Sequence, residues 1–230
     1  GCQRGRAGGV FRDRDKLLEL VRGIYRDPGS RAQWDRILGG LQKLLRLHNL
    51  TVIEIDVPSG MSRTILHHDI LDEYLRLYEL HYARLDPADR GRFILPLRKG
   101  AVAASCEFDS FDEFRKTPLF LDFFEPQGSH FFLAAMLDIG PLEGHMLSAQ
   151  RTRKTGSYTP EDKRCMEILT PHLSNRIALE KRFERTGRVH TALEAALEAQ
   201  QTACVLLDAE MRGVFANPRA ESVLRAGDGL

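Results

Sequence analysis

Two apolar segments joined by a very short connection constrain the fold of this chain more than any other feature. They run from His130 to Ile139 and from His145 to Arg151, and the linking sequence is Gly-Pro-Leu-Glu-Gly. Glycine and proline are typical turn residues, because they favour backbone angles that a tight reversal needs. So short a link allows only antiparallel pairing, since parallel strands need a crossover of a dozen or more residues. The sequence therefore predicts an antiparallel hairpin.

A second hairpin and several helices are predicted around this sheet. Alternating apolar residues predict strands over 50–57 and 63–68, with Pro-Ser-Gly as the turn between them. Another strand is expected over 101–104. Apolar residues at helical spacing predict helices over 16–25 and 72–85, and two short helices in the aromatic segments between 110 and 124. A further helix is expected to begin at Ser30, which forms a capping box with Gln33, and to bury the apolar stripe that starts at Trp34. The predicted fold class is α+β, an antiparallel sheet flanked by helices.

The region after this sheet predicts one long helix that runs to about Gln200. Thr159 is a suitable cap, Pro160 suits the first helical position, and the two carboxylates that follow lie where the helix dipole favours negative charge. Pro171 is expected to kink the helix. Apolar residues from Leu169 to Leu197 partly follow a heptad pattern, which His172, Arg176, Thr186 and His190 interrupt. We therefore expect a packed helix that becomes a connector and pairs with a second copy.

The pattern changes again after Ala203. Two short strands are expected at 203–207 and 213–216, followed by a helix that Asn217 caps and Pro218 begins. Two strands and one short helix bury too little surface to be stable alone. We therefore expect this chain to be an upstream, regulatory part of a larger polypeptide.

Charge and cysteine content limit the classes of function. The chain has 33 Lys and Arg against 32 Asp and Glu, so its net charge of +1 gives no electrostatic basis for nucleic-acid binding by the chain as a whole. No apolar run approaches the roughly 20 residues that cross a bilayer. The four cysteines are scattered, which fits reduced thiols in the cytoplasm. The prediction is a cytoplasmic protein without a membrane partner.

Motifs of known catalytic and metal sites are missing from the sequence. It contains no Gly-rich phosphate loop, no G-x-S-x-G elbow and no H-E-x-x-H helix, so we expect no enzymatic activity. His67 and His68 invite a metal site with His81, but adjacent residues on a strand face opposite sides. We therefore predict no metal site. Cys106 and Cys165 could be redox-sensitive thiols, but no flanking cluster clearly depresses the pKa of either, and both are expected to be inert.

The candidate ligand-binding residues lie on one predicted helix and one predicted hairpin. Tyr74, Tyr78 and Tyr82 are four residues apart on the helix, and Asp86 follows just beyond. Their hydroxyls could orient a small ligand that the rings cover; the alternative is that they are core residues with exposed tips. On the hairpin, one strand face is expected to carry His130, Phe132 and Met136, with Ser148 and Gln150 on the neighbouring strand. The alternative for Phe132 and Met136 is ordinary core packing.

Arg151 ends the last strand of this hairpin. Arg153 and Lys154 follow it closely, which favours a solvated basic turn. The alternative is an anchor for an anionic ligand.

Several stretches resemble the N-terminal sensory region of LuxR-type helix-turn-helix transcriptional regulators, which has a GAF-like fold. They are the Trp34 helix, the sequence YARLDP at 82–87, the aromatic segment 111–124, and the region from Arg151 through YTPED to LTPHL. The resemblance implies a sensory domain that binds a small-molecule effector, followed by a PAS-like segment resembling residues 214–224 here. It further implies a C-terminal DNA-binding domain, the route by which DNA would be a partner. The long helix is expected to form a homodimer. No helix-turn-helix sequence is present in this chain.

Autoinducer-binding members of the LuxR group carry Trp, Tyr and Asp-Pro in a comparable order, and this chain departs from that pattern. Tyr74 stands in the place of the Trp, and Tyr78 lies one residue closer to Asp86 than the pattern requires. This argues against an acyl-homoserine lactone as the ligand. The sequence names no ligand or cofactor.

The resulting division of the chain has four parts. Residues 1–14, rich in Gly and Arg, are expected to be a disordered lead-in, with a binding arm as the alternative. Residues 15–185 are expected to form the GAF-like sensory domain, 186–200 the helical connector, and 201–230 a truncated PAS-like segment. The predicted function is a signal-sensing, dimerising regulatory domain of a LuxR-type regulator. The alternative is a sensory GAF/PAS module of a signalling enzyme, either a cyclic-nucleotide synthase or a kinase.

Overall fold

The computed structural model describes residues 14–82, 98–107 and 111–227. The chain divides into two compact units, residues 1–179 and 180–230. The α-helices are α1 (Arg14–Ile24), α2 (Arg31–Leu45), α3 (Asp72–Leu77), α4 (Phe111–Phe114), α5 (Pro160–Glu198) and α6 (Pro218–Ala226). The strands are β1 (Asn49–Asp56), β2 (Ser62–His68), β3 (Val102–Ala104), β4 (Phe131–Ile139), β5 (Glu143–Arg151), β6 (Val205–Leu207) and β7 (Gly213–Ala216).

The first unit contains a five-stranded sheet in the order β2-β1-β5-β4-β3, and every neighbouring pair is antiparallel. The predicted α+β class and both predicted hairpins are confirmed. The reason given for the glycines of the central turn is wrong, because neither Gly140 nor Gly144 has a positive φ. Gly144 instead lies in β5, where a Cβ atom would come within 2.7 Å of Ile139 Cδ1.

One face of this sheet is covered by α1, α2 and the first part of α5. Leu50, Val52, Leu147 and Ala149 on the two central strands belong to a single apolar core with residues of these helices. Helix α2 begins at the predicted cap, since Ser30 Oγ accepts from Gln33 N at 3.3 Å. The predicted capping box is only half formed, because the Gln33 side chain donates to Gly23 O instead.

The long helix begins as predicted at Pro160, with Thr159 as its cap. Pro171 lies inside the helix. The predicted role of Arg151 in a solvated turn is wrong, because its side chain is buried and pairs with Asp162 at 2.8 Å. The aliphatic part of Arg151 therefore lies in the core, while its charge is neutralised at the first turn of α5.

The third predicted helix has an unexpected geometry. Its α-helical part ends at Leu77, and the chain continues as a π-helix over Tyr78–Tyr82. The second aromatic segment, expected to be an α-helix, is also a π-helix, over Leu119–Phe124. Such single turns occur frequently at functional sites. The last predicted residues of the third helix, 83–85, lie outside the described residues.

The second unit contains an antiparallel pair, β6 and β7, followed by α6. Asn217 caps α6 as predicted, since its Oδ1 accepts from Ala220 N at 2.9 Å. Apolar side chains are exposed on this unit, among them Leu206, Leu207, Val214, Val223 and Leu224. Among the described helices of the whole chain, none combines the length and hydropathy needed to cross a membrane.

Candidate functional site

The face of the sheet opposite the helices carries a different set of side chains. Asn49 pairs with Gln150 across β1 and β5, and Thr51 pairs with Ser148. Successive residues of a strand point to opposite faces. These four polar side chains therefore share one face, while their neighbours in sequence fill the apolar core on the other. All four are nonetheless buried.

An aromatic cluster lies on this same side of the sheet. Its buried members are Tyr78, Phe111, Phe114, Leu119, Phe120, Phe123, Phe124 and Phe132. Phe132 comes from β4, whereas the others come from the two π-helices and α4. Edge-to-face contacts between rings join the segments, as between Phe124 and Phe132 at 4.7 Å. The cluster thus holds the helical segments against the sheet.

The predicted stripe of tyrosines exists and converges on one residue. The ring centroids of Tyr74, Tyr78 and Tyr82 lie 6.2, 5.6 and 5.4 Å from that of Phe123. Tyr78 is buried, and its hydroxyl hydrogen-bonds to Ser62 Oγ at 2.7 Å. Tyr74 and Tyr82 are half-buried and pack against the aromatic cluster. Partial burial and, secondarily, the Asp122 carboxylate raise the pKa of Tyr82.

A small cavity lies between the polar strand positions and this cover. It is lined by Asn49, Thr51, Ile53, Thr64, Ile70, Leu75, Tyr78, Phe123, Phe124, Gln127, Ser129 and Gln150. The space open to the centre of a water molecule is about 30 Å³. A single water needs roughly 10–15 Å³ on this measure. In the described conformation the cavity therefore holds one or two waters, and a larger guest requires the cover to move.

The polar groups of the cavity are mostly paired with each other or with the backbone. Asn49 Nδ2 donates to Ser129 Oγ at 3.4 Å, and Gln127 Nε2 donates to Phe123 O at 2.7 Å. Gln150 Nε2 donates to Ser148 Oγ at 2.8 Å. Gln150 Oε1 is the exception, since it is buried and has no hydrogen-bond partner. An orphaned buried acceptor is destabilising and calls for an explanation.

The structure places the eight site residues predicted from the sequence at several different positions. Of the eight, Tyr78 alone lines the cavity among the described residues. Phe132 belongs to the aromatic cluster, and Ser148 adjoins the cavity through Gln150. Met136 packs in a separate apolar cluster with Ile53 and Met146. Asp86 lies outside the described residues.

His130 lies just before β4 and at the edge of the aromatic cluster, not on the cavity. Its ring is 6.1 Å from that of Phe120, and Arg153 Nε lies 3.4 Å from its Nδ1. Partial burial and then the Arg153 charge lower the pKa of His130. Its imidazole is therefore held towards the neutral form in a basic surrounding.

Sequence reasoning missed Asn49, Thr51, Gln127 and Ser129 as cavity residues. Their alternation with Leu50 and Val52 is visible in the sequence, but a strand with one polar face is usually solvated on that face. What sets this face apart is its aromatic cover, in which Tyr78 and Phe123 lie 29 and 74 residues after Asn49 in the chain. No local signal distinguishes a buried polar face from an exposed one.

The unpaired oxygen predicts an unusual response to substitution. Gln150 and Gln33 are both 3% exposed, but Gln33 uses both ends of its amide: Nε2 donates to Gly23 O at 2.6 Å and Oε1 accepts from Arg36 Nη1 at 3.2 Å. We expect Gln33→Met to lower the free energy of unfolding by about 1–3 kcal/mol, because it removes two hydrogen bonds, one to Gly23 O and one from Arg36 Nη1. Gln150→Met is expected to change it by less than about 1 kcal/mol, or to raise it. Urea unfolding of the two variants tests this, and equal losses would contradict it.

No group of three or more potential metal ligands occurs within the described ranges. Burial, with a contribution from the Asp162 carboxylate, raises the pKa of the Cys165 thiol to about 12. Cys165 therefore stays protonated at neutral pH, as its expected inertness requires.

Comparison with known proteins places this architecture. The sequence matches no protein-family model and no curated protein. The VqsR LBD domain of Pseudomonas aeruginosa superimposes with a TM-score of 0.54 at 14% identity, over 76% of this chain and 99% of its own. The GAF domain of a phosphoenolpyruvate-protein phosphotransferase from Coxiella burnetii superimposes with a TM-score of 0.51 at 13% identity, over 79% of this chain and 99% of its own.

A third similar structure is CepR2 of Burkholderia cenocepacia, an N-acylhomoserine lactone dependent LuxR family transcription factor. It has a TM-score of 0.52 at 14% identity, over 71% of this chain and 91% of its own. At identities this low, the likeness concerns the fold alone. The fold of this chain is GAF-like, with a five-stranded antiparallel sheet flanked by helices and a long helix after it.

Proposed function

We propose that this chain is the signal-sensing and dimerising region of a LuxR-type transcriptional regulator, whose DNA-binding domain lies outside the chain. The observation that carries the sensory part is the buried polar floor of β1 and β5 with its unpaired Gln150 oxygen. Natural proteins keep such costly groups where function needs them. The site binds a small effector; it does not carry out chemistry on it.

The two π-helices support a sensing role. Tyr78 and Phe123, which both line the cavity, lie one in each π-helix. An effector that enters must displace this cover, because the cavity as described holds only one or two waters. An effector shifts the equilibrium between two arrangements by its difference in affinity for them.

The LuxR assignment is supported by the resemblance in sequence and by the similar fold of CepR2, a LuxR family transcription factor. The VqsR LBD domain has a similar fold too. The alternative is a sensory module of a signalling enzyme. It is favoured by one specific observation, the equally similar GAF domain of a phosphotransferase. The two candidates share the pocket and differ in what the effector controls.

Dimerisation through α5 is part of the proposal. In the second half of this helix, Phe183, Val189 and Leu193 are exposed. Exposed apolar residues along a helix are stabilised when a second helix covers them.

One experiment on the full-length polypeptide tests regulator and dimer together. We expect chromatin immunoprecipitation to recover a limited set of sites, each an inverted repeat, because a two-fold symmetric dimer contacts two half-sites. Single half-sites would contradict the dimer. Absence of enriched DNA, together with turnover of ATP or GTP by the same polypeptide, would favour the alternative.

A further inference from the structure

The chemistry of the cavity restricts the class of molecule that it accepts. The residues described as lining it are all uncharged, and they combine polar side chains, such as Asn49, Gln127 and Gln150, with aromatic and aliphatic ones. Burying an ion without a partner is far more costly than burying a neutral molecule. A carboxylate, phosphate or ammonium group would find no opposite charge among these lining residues. The ligand must therefore be neutral at the buried end.

Gln150 determines whether the ligand must donate or accept a hydrogen bond in the cavity. Its Nε2 is already engaged by Ser148 Oγ, and its Oε1 is the acceptor that lacks a donor. Both amide ends of Gln33, equally buried on the other side of the sheet, are satisfied. An N–H or O–H on the ligand would supply what Gln150 lacks, whereas a second acceptor would repel it.

The cover adds shape. Phe123, Phe124 and Tyr78 bring three rings to the cavity wall, and the centroids of Phe123 and Phe124 are 4.9 Å apart. These two rings pack edge to face in direct contact, so their outer surfaces, together with the Tyr78 ring, offer an aromatic wall to a flat apolar guest. The Tyr78 hydroxyl is bound to Ser62 Oγ, so this ring contributes to the cavity mainly through its apolar face.

From these three features we propose that the effector is a small, neutral, flat molecule with one buried N–H or O–H donor, and that Gln150 Oε1 accepts its hydrogen bond. This inference rests on the proposed sensory function and specifies its ligand class. Gln150 acts as the specificity determinant, because it distinguishes a donor from an acceptor at the same position. The aromatic residues supply the remaining affinity without regard to polarity.

Two probes of nearly the same shape test the inference. Indole presents an N–H where benzofuran presents an acceptor oxygen, and benzoate provides an anionic ring of similar size. We expect titrations of the full chain, followed by NMR shifts of Thr51, Ser148 and Tyr78, to show indole binding about tenfold more tightly than benzofuran. Benzoate should bind more weakly than both.

Gln150→Met serves as the specific variant and Gln33→Met as the matched control. The preference for indole should vanish in the first variant, with binding of benzofuran retained, and should persist in the second. The retained benzofuran binding shows that Gln150→Met is folded.

The possible failures differ from each other. Equal binding of indole and benzofuran to the unaltered chain would overturn the donor requirement while leaving the sensory pocket standing. Preference for benzofuran would mean that the Gln150 amide has the reverse orientation, and would overturn it too. If none of the three probes shifts a cavity residue, both the inference and the proposed sensory pocket fail.

Discussion

Replacing Arg151 with methionine is expected to lower the free energy of unfolding of the first unit by about 3–5 kcal/mol at pH 7. The guanidinium is only 1% exposed, and it donates to Asp162 Oδ2, to Leu45 O and to Ser157 O while lying 4.3 Å above the Tyr158 ring. Methionine preserves much of the volume but leaves a buried carboxylate and a buried carbonyl without their partner. Chemical denaturation followed by Trp34 fluorescence measures the loss.

The loss is expected to shrink in acid. Burial raises the pKa of Asp162, but the hydrogen bonds from Arg151 and Thr159 outweigh it, so the net pKa lies below its ordinary 3.8. A depressed carboxyl pKa contributes stability above the unfolded value of about 3.9 that disappears as the pH falls through the folded pKa. Without Arg151 the burial effect is less opposed, so the variant loses less on acidification. Unfolding is compared at pH 7 and at a pH of about 2–3, because the stability is lost only below the ordinary carboxyl pKa of 3.8.

The double variant Arg151→Met/Asp162→Leu is the control for this prediction. Removing both charges should recover part of the loss, because apolar pairs often replace buried ion pairs at little cost. Recovery will be incomplete, since Asp162 also accepts from Thr159 N at 2.8 Å at the start of α5. A double variant less stable than Arg151→Met would contradict a role for the buried pair.

Replacing Asn217 with alanine is expected to destabilise the second unit by about 2–4 kcal/mol, because four hydrogen bonds of one fully buried side chain are lost. Its Oδ1 accepts from Cys204 N at 3.0 Å and Ala220 N at 2.9 Å. Its Nδ2 donates to Leu197 O at 3.1 Å and Thr202 O at 2.9 Å. One amide thus ties the end of α5, the start of β6 and the first turn of α6 together. Hydrogen exchange of the β6 and β7 amides measures the effect.

Ser30→Ala is the comparison for Asn217→Ala. Ser30 caps α2 through one hydrogen bond, so its loss should cost only about 1 kcal/mol, and in the first unit. Equal effects of the two substitutions would show that Asn217 acts only as a helix cap.

Local patterns were sufficient to predict most of the secondary structure. The hairpin of β4 and β5, the start of α5 at Thr159-Pro160 and the cap at Asn217 all depend on residues close together in sequence, and all three are confirmed. The π-helices were not predicted, because residues four apart lie on nearly the same face of a π-helix as of an α-helix. Tyr78 and Tyr82 remain aligned in either geometry.

Long-range partners explain the remaining differences. Arg151, Arg153 and Lys154 together have the composition of a solvated turn. Burial of Arg151 becomes favourable because Asp162 and the distant Leu45 O accept its hydrogen bonds. Likewise, Asn49 and Gln150 are about a hundred residues apart in sequence, and nothing near either residue shows that they pair. The cavity therefore depends on contacts that strand register creates.

The alternation along β1 and β5 assigns successive residues of each strand to two different parts of the molecule, the apolar core and the cavity lining. Leu50 and Leu147 pack in the apolar core, whereas Asn49 and Gln150 line the cavity. Substitutions at alternate positions of one strand are therefore expected to act separately, either on the stability of the fold or on the lining of the cavity. The lining can thus vary in chemistry while the layered architecture is kept.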